Sequence, residues 1–231
     1  MRVESVQVGA AEPSDTSRFG ATGIDKQPVD AAMVTPDGLV DDAIVNTTVH
    51  GGPDQAVYVY ARDDYLHWEA ELGRPLPGGT FGENITMVGI SSADVVVGDR
   101  FSIGEVILEA TAARIPCPVF SAKMDESDWR VRFRDARRPG FYCRVINGGR
   151  IEPGMDVQRT PALGACVSIL ETQDLTYDLG ADDERIRAAL DAPISSRLRE
   201  ILQRRLDHPR RHQLSRVRAF AGTRYHRWRD R

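Results

Sequence analysis

Arg100-Phe101-Ser102-Ile103-Gly104-Glu105-Val106-Ile107-Leu108-Glu109-Ala110-Thr111 spells two short strands in succession. Two short runs rich in aliphatic and aromatic residues flank a glycine, the pattern of consecutive strands and not of a helix. Working outward, Ile85-Thr86-Met87-Val88 gives another strand before it, with Gly89 and Gly98 as breaks. Residues 3–9, 29–35, 38–49 and 56–60 add strands upstream, and residues 140–147 and 155–160 add strands downstream. Thr35-Pro36-Asp37-Gly38, with proline second and glycine fourth, suits a type I turn between two of them. Many short strands with few helices point to a closed or nearly closed β-barrel, which removes exposed strand edges. Two helices interrupt the strands. Arg62 to Leu72 places Tyr65, Trp68 and Leu72 on one face before Gly73-Arg74-Pro75, and Asp125 to Ala136 places Trp129 and Phe133 four apart before Arg138-Pro139-Gly140.

After Arg159-Thr160-Pro161 the period changes from strand to helix. Residues 167–177, 182–190 and 195–206 form three short helices, with Asp182 and Ser195 or Ser196 as N-caps. The last carries an apolar stripe of Leu198, Ile201, Leu202 and Leu206, suited to internal packing or a dimer contact. The expected organisation is a mainly β domain over 1–161, a three-helix domain over 162–207, and a basic, mobile tail over 208–231.

The net charge of −4 conceals an asymmetry. Between Arg197 and Arg231 there are twelve arginines against Glu200, Asp207 and Asp230, so this end is basic and the remainder acidic. Such a tail can meet nucleic acid, an acidic partner or the acidic body of its own chain. Lys26 and Lys123 are the only lysines, so arginine enrichment is partly general usage. No apolar run is long enough to cross a bilayer, and Met1-Arg2-Val3-Glu4 does not open a secretory signal. The three cysteines, Cys117, Cys143 and Cys166, form neither a zinc pair nor a disulfide framework. Together these features place the chain in the cytoplasm, away from membranes. No nucleophile turn, Walker loop or dinucleotide fingerprint is present.

Chemistry centres on Arg114-Ile115-Pro116-Cys117-Pro118-Val119-Phe120. A thiolate on a proline-stiffened backbone suits a soft metal, whereas a free cysteine is otherwise a small buried hydrophobe. Arg114 can supply a cation beside it, although in an extended segment residues three apart face oppositely and the spacing leaves its side open. Gly82-Glu83-Asn84 offers a carboxylate able to carry protons if buried, and an amide able to orient a ligand or to brace a turn. His50-Gly51-Gly52 and Gly78-Gly79-Thr80-Phe81-Gly82 are glycine-rich turns whose backbone N–H groups suit a phosphate, and Lys26 adds a point charge. His50 can relay protons, contact a phosphate or be a structural histidine. Cys143 and Cys166 are expected to pack.

Taken in order, Thr22-Gly23-Ile24-Asp25-Lys26-Gln27-Pro28-Val29, His50-Gly51-Gly52-Pro53-Asp54-Gln55-Ala56-Val57, Gly79-Thr80-Phe81-Gly82-Glu83-Asn84-Ile85-Thr86, Arg114-Ile115-Pro116-Cys117 and Gly140-Phe141-Tyr142-Cys143-Arg144-Val145 resemble the MOSC domain, in its small YiiM-like branch. The resemblance covers roughly residues 1–160, and the helical end is similar to the three-helix segment often appended in that branch. It implies a MOSC-type β-barrel that binds molybdenum cofactor with Cys117 as metal ligand. Lys26, His50, Gly51, Gly52, Phe81, Gly82, Asn84 and Arg114 would contact the cofactor, and Glu83 would assist catalysis. It further implies reduction of N-hydroxylated compounds such as hydroxylamino-purines and amidoximes, with electrons from a separate reductase because the chain has no flavin, haem or iron–sulfur motif. Ile115 and Pro118 depart from the family's better-known members. The alternative is a cofactor or sulfur carrier holding a persulfide on Cys117.

Overall fold

A computed structural model describes residues 1–46, 50–164, 166–177 and 181–207. The basic tail over 208–231 and residues 47–49 of the expected 38–49 strand therefore lie outside the described residues. The strands are β1 (Arg2–Gly9), β2 (Glu12–Pro13), β3 (Ala21–Thr22), β4 (Lys26–Val29), β5 (Ala32–Thr35), β6 (Gly38–Leu39), β7 (Val57–Ala61), β8 (Ile85–Val88), β9 (Arg100–Ile103), β10 (Val106–Ala113), β11 (Phe141–Asn147), β12 (Gly149–Ile151) and β13 (Gln158–Thr160). The helices are α1 (Arg62–Leu72), α2 (Pro118–Met124), α3 (Trp129–Asp135), α4 (Ile169–Tyr177), α5 (Asp183–Asp191) and α6 (Ser196–Asp207).

Eight strands form one sheet in the order β13-β9-β10-β11-β7-β8-β1-β4, antiparallel except for the parallel pair β7 and β8. The sheet curls back on itself. Residues 154–157, just before β13, exchange backbone hydrogen bonds with β1: Val3 donates to Met155 at 2.9 Å, and Gly154 donates to Val3 at 2.8 Å. An isolated bridge between Arg2 and Asp156 adds to the contact, so the two ends of the sheet approach each other at β1, whose residues 6–9 pair with β4. A smaller sheet, β12-β5-β6, covers one end.

The period-two geometry of strands sorts two cores onto the two faces of β7 and β11. Val57, Val59, Ala61, Phe141 and Cys143 point into the barrel with Ile85 and Met87. Tyr58, Tyr60 and Tyr142 point outward into an aromatic layer with Tyr65 and Trp68 of α1, Phe81, Phe120 of α2, and Trp129 and Phe133 of α3. Trp68 and Trp129 lie 4.6 Å apart between ring centroids, locking α1 to α3. The helix at 62–72 has the expected bounds, stopped by Gly73 in the left-handed region at φ 66°. The helix expected over 125–136 is shorter, because Asp125 itself adopts φ 56° to end α2. Among the described residues of the expected 38–49 strand, Gly38 and Leu39 form β6 and residues 40–46 form no strand. Residues 42–46 wall a cavity.

The C-terminal helices join the barrel core. Ile169 and Leu175 of α4, Ile186 and Ala189 of α5, and Leu198 and Leu202 of α6 are buried in the same cluster as the barrel residues. Asp182 caps α5 by accepting from the Arg185 amide at 2.8 Å, as expected. Cys143 packs as expected, but Cys166 is exposed and precedes α4, since its sulfur sits in the turn beside Gly164.

Candidate functional site

A cavity of about 390 Å³ lies against the outer face of β7 and β11, where the aromatic layer meets residues 42–46. Six of the residues singled out in the sequence besides Cys117 reach it: Lys26, His50, Gly51, Gly82, Asn84 and Arg114.

Cys117 occupies the N-cap of α2 with extended backbone, φ −111° and ψ 168°, and Pro118 is the first helical residue. Proline is favoured there because its missing N–H is one a helix start leaves unpaired anyway. Its carbonyl accepts from the Phe120 amide at 3.1 Å, which fixes the thiol, half-buried, at the cavity wall.

Arg114 follows the end of β10 and is 5% exposed. Its guanidinium lies over the rings of Tyr58, at 4.8 Å, and Phe120, at 4.5 Å, and its Nε has no hydrogen-bond partner. An arginine stays protonated under all ordinary conditions. A fixed cation is thus buried near a thiol and against aromatic faces, with the Glu83 carboxylate acting on it through space and no carboxylate hydrogen-bonded to it. Gly82, at φ +72°, leaves it room: a Cβ there would stand 3.0 Å from Ile24 and 3.4 Å from Arg114 Nη1.

Asp42, unmarked by any local motif, organises the opposite wall. Its carboxylate pairs with Lys26 Nζ, accepts from the Gly9 amide at 2.7 Å and accepts from Asn84 Nδ2 at 2.9 Å. Its three partners come from β1, β4 and the loop before β8, so no local motif announces it. Burial pulls the Lys26 pKa down, with Arg114 and Lys123 adding to the effect and Asp42 opposing it. Asn84 Oδ1 accepts from the Tyr58 amide at 3.1 Å, so this side chain ties β1, β7 and residue 42 together. Burial, with Arg114 and Arg197, lowers His50 to about 4. At neutral pH its imidazole is uncharged, with one donor and one acceptor nitrogen.

Three singled-out residues do not line the cavity. Gly52, at φ 78°, starts the turn over 53–55. Phe81 stacks on Tyr60 at 4.4 Å inside the aromatic layer. Glu83 is fully buried with its carboxylate turned to the Tyr65 hydroxyl, the Gly79 amide at 2.7 Å and Thr86 Oγ1 at 2.9 Å, which makes it a brace of the 79–83 turn. The Gly78–Gly82 loop likewise uses its amides internally, Thr80 donating to Pro77 and Gly82 to Gly79.

The donor set fits a metal that brings its own ligands. Among the described residues no group of three or more His, Cys, Asp or Glu could cage an ion, whereas Cys117 can add one thiolate and Arg114 and Lys26 can meet an anionic carrier. Molybdenum cofactor has these needs: a soft metal, two sulfurs of its own and a phosphate.

The chain carries a MOSC domain, with residues 46–158 matching that domain. Within the family its likeness is to YiiM. The crystal structure of YiiM from Geobacillus stearothermophilus superposes with a TM-score of 0.74 at 28% identity, covering 89% of this chain and 98% of that one. YflK of Bacillus subtilis is 35% identical over 138 residues, 59% of this chain and 62% of YflK, so the match spans less than two thirds of that relative. A protein named as a reductase from Gibberella moniliformis is 33% identical over 110 residues, 46% of this chain and 19% of that protein. No helix among the described residues is long and apolar enough to cross a membrane.

Proposed function

We propose that the protein binds molybdenum cofactor in the cavity beside Cys117 and reduces N-hydroxylated compounds there. The observation that carries the reading is the buried Arg114 guanidinium, its Nε without a hydrogen-bond partner, in the cavity that Cys117 walls. Desolvating a lone cation costs several kcal/mol unless an anion answers it, and a cofactor phosphate is such an anion. Membership of the MOSC family and the partial match to a protein named as a reductase support the same reading.

Cys117 would hold the metal as thiolate, and Arg114 and Lys26 would meet the cofactor's negative charge. His50, neutral at working pH, offers a hydrogen bond without adding charge. Asn84 and Asp42 keep the walls in register, and Ile24, Ile44 and Val119 give the cavity apolar walls. When bound, the molybdenum centre would supply oxygen-atom transfer from substrate, with two electrons and two protons releasing the oxygen as water. The electrons would come from a separate reductase. The carrier alternative needs a thiol open to a partner's surface, and the cavity position of Cys117 weighs against it.

The test is metal and pterin content of protein purified from a host that makes the cofactor. Near-stoichiometric molybdenum and pterin in wild type, falling sharply in Cys117→Ser, support the reading. Wild type without either, where a control molybdoenzyme is loaded, overturns it.

A further inference from the structure

Four tyrosines sit in the aromatic layer, and three have their hydroxyls engaged by the protein. Tyr58 donates to the Pro139 carbonyl at 2.8 Å, Tyr60 to the Arg138 carbonyl at 2.8 Å, and Tyr65 is held by Glu83 and by the Pro77 carbonyl at 3.2 Å. Tyr142 differs. Its residue is 8% exposed and lines the cavity with Cys117, yet its hydroxyl makes no hydrogen bond to any described residue. With no protein partner and a place on the cavity wall, this O–H is available to donate to a ligand held there.

The ring cannot turn elsewhere. It packs against Tyr58 at 5.0 Å between centroids. Its backbone is held on both sides: Tyr142 pairs with Tyr58 in β7 and with Ala112 in β10, and its carbonyl accepts from Thr111 Oγ1 at 3.1 Å. Thr111 in turn accepts through its carbonyl from the Ser195 amide at 3.2 Å, so the segment leading into α6 buttresses this point. Burial pushes the phenol's pKa up against the opposing charges of Arg114 and Arg197. The O–H is therefore present as a donor throughout the working pH range.

The geometry points to Tyr142 as the group that recognises the substrate's N–O oxygen, donating a hydrogen bond to it inside the cavity. This inference rests on the reductase reading and adds what that reading lacks, a residue able to tell an N-hydroxylated compound from its reduced product. The oxygen is the one atom by which the two differ. A site that offers a buried donor to that atom binds the reduced analogue less well, because the donor is then left unpaired.

The experiment is a calorimetric titration of the protein as purified, without an electron donor, using 6-N-hydroxylaminopurine and adenine. Both are uncharged at neutral pH and differ by one oxygen. Wild type is expected to favour the hydroxylamino compound by about threefold to tenfold, the range of a single hydrogen bond, and Tyr142→Phe to bring the two affinities together. Tyr142→Phe keeps the ring and its packing on Tyr58, and an unchanged melting temperature shows that the fold is intact. Equal affinities in wild type, or a preference that survives in Tyr142→Phe, overturn the inference. So does a loss of molybdenum and pterin from Tyr142→Phe, which would make the phenol a cofactor contact. Failure of the reductase reading itself registers separately, as wild type that carries no molybdenum.

Discussion

Replacing Arg114 by methionine should stabilise the cofactor-free protein while abolishing cofactor retention, an outcome a purely structural arginine would not give. Methionine conserves most of the volume at a site 5% exposed. The wild-type residue carries the cost of a buried cation, several kcal/mol after relaxation. Two ring contacts, at 4.8 and 4.5 Å, return roughly 1–2 kcal/mol each. With Nε making no hydrogen bond, the net effect of removing the charge is a gain of about 1–2 kcal/mol. For a chain of this length that is a rise in melting temperature of about 2–8 °C. The assay is thermal unfolding of wild type and Arg114→Met from a host unable to make the cofactor, paired with metal analysis from a host that can. A lower melting temperature together with undiminished molybdenum would refute the reasoning, because the charge would then be serving the fold.

Two further expectations follow from the cavity walls. His50 titrates near 4 in the folded protein against 6.5 unfolded, so it contributes stability above pH 6.5 that is lost as pH falls through 4. The loss is about 3 kcal/mol over that window, and His50→Gln should flatten urea-unfolding free energies between pH 6.5 and 4; an unchanged slope would show that the imidazole is not held neutral. Asn84→Ala removes an acceptor from the buried Tyr58 amide and a donor from Asp42, which costs about 3 kcal/mol and lowers the melting temperature by roughly 6–12 °C. A shift below about 2 °C would mean that Asn84 does not tie β7 to the cavity wall.

Local chemistry was legible in the sequence and long-range partnership was not. Helix α1 could be read because Tyr65, Trp68 and Leu72 recur at helical spacing before a glycine that accepts φ 66°. Strands β8 to β11 were equally plain, since their apolar runs end at glycines. Helix α2 was hidden: Pro116-Cys117-Pro118 suggests extended chain, yet Pro118 is also an ideal first helical residue. Residues 42–46 carry Ile44 and Val45 as a strand would, yet both line the cavity. Asp42 and Tyr142 escaped notice for a different reason. Their importance lies in what they face across the fold, and no spacing encodes that. Glu83 stands out through its place between Gly82 and Asn84, but in the loop before β8 its carboxylate turns to the Gly79 amide and Thr86 Oγ1 and braces the turn.

X-ray absorption at the molybdenum edge reads whether the Cys117 thiolate ligates a molybdenum centre, as proposed. Wild type should show three sulfur neighbours, two from the cofactor and one from the protein. Cys117→Ser, supplied with cofactor, should show two. Equal sulfur counts in the two proteins would contradict the account.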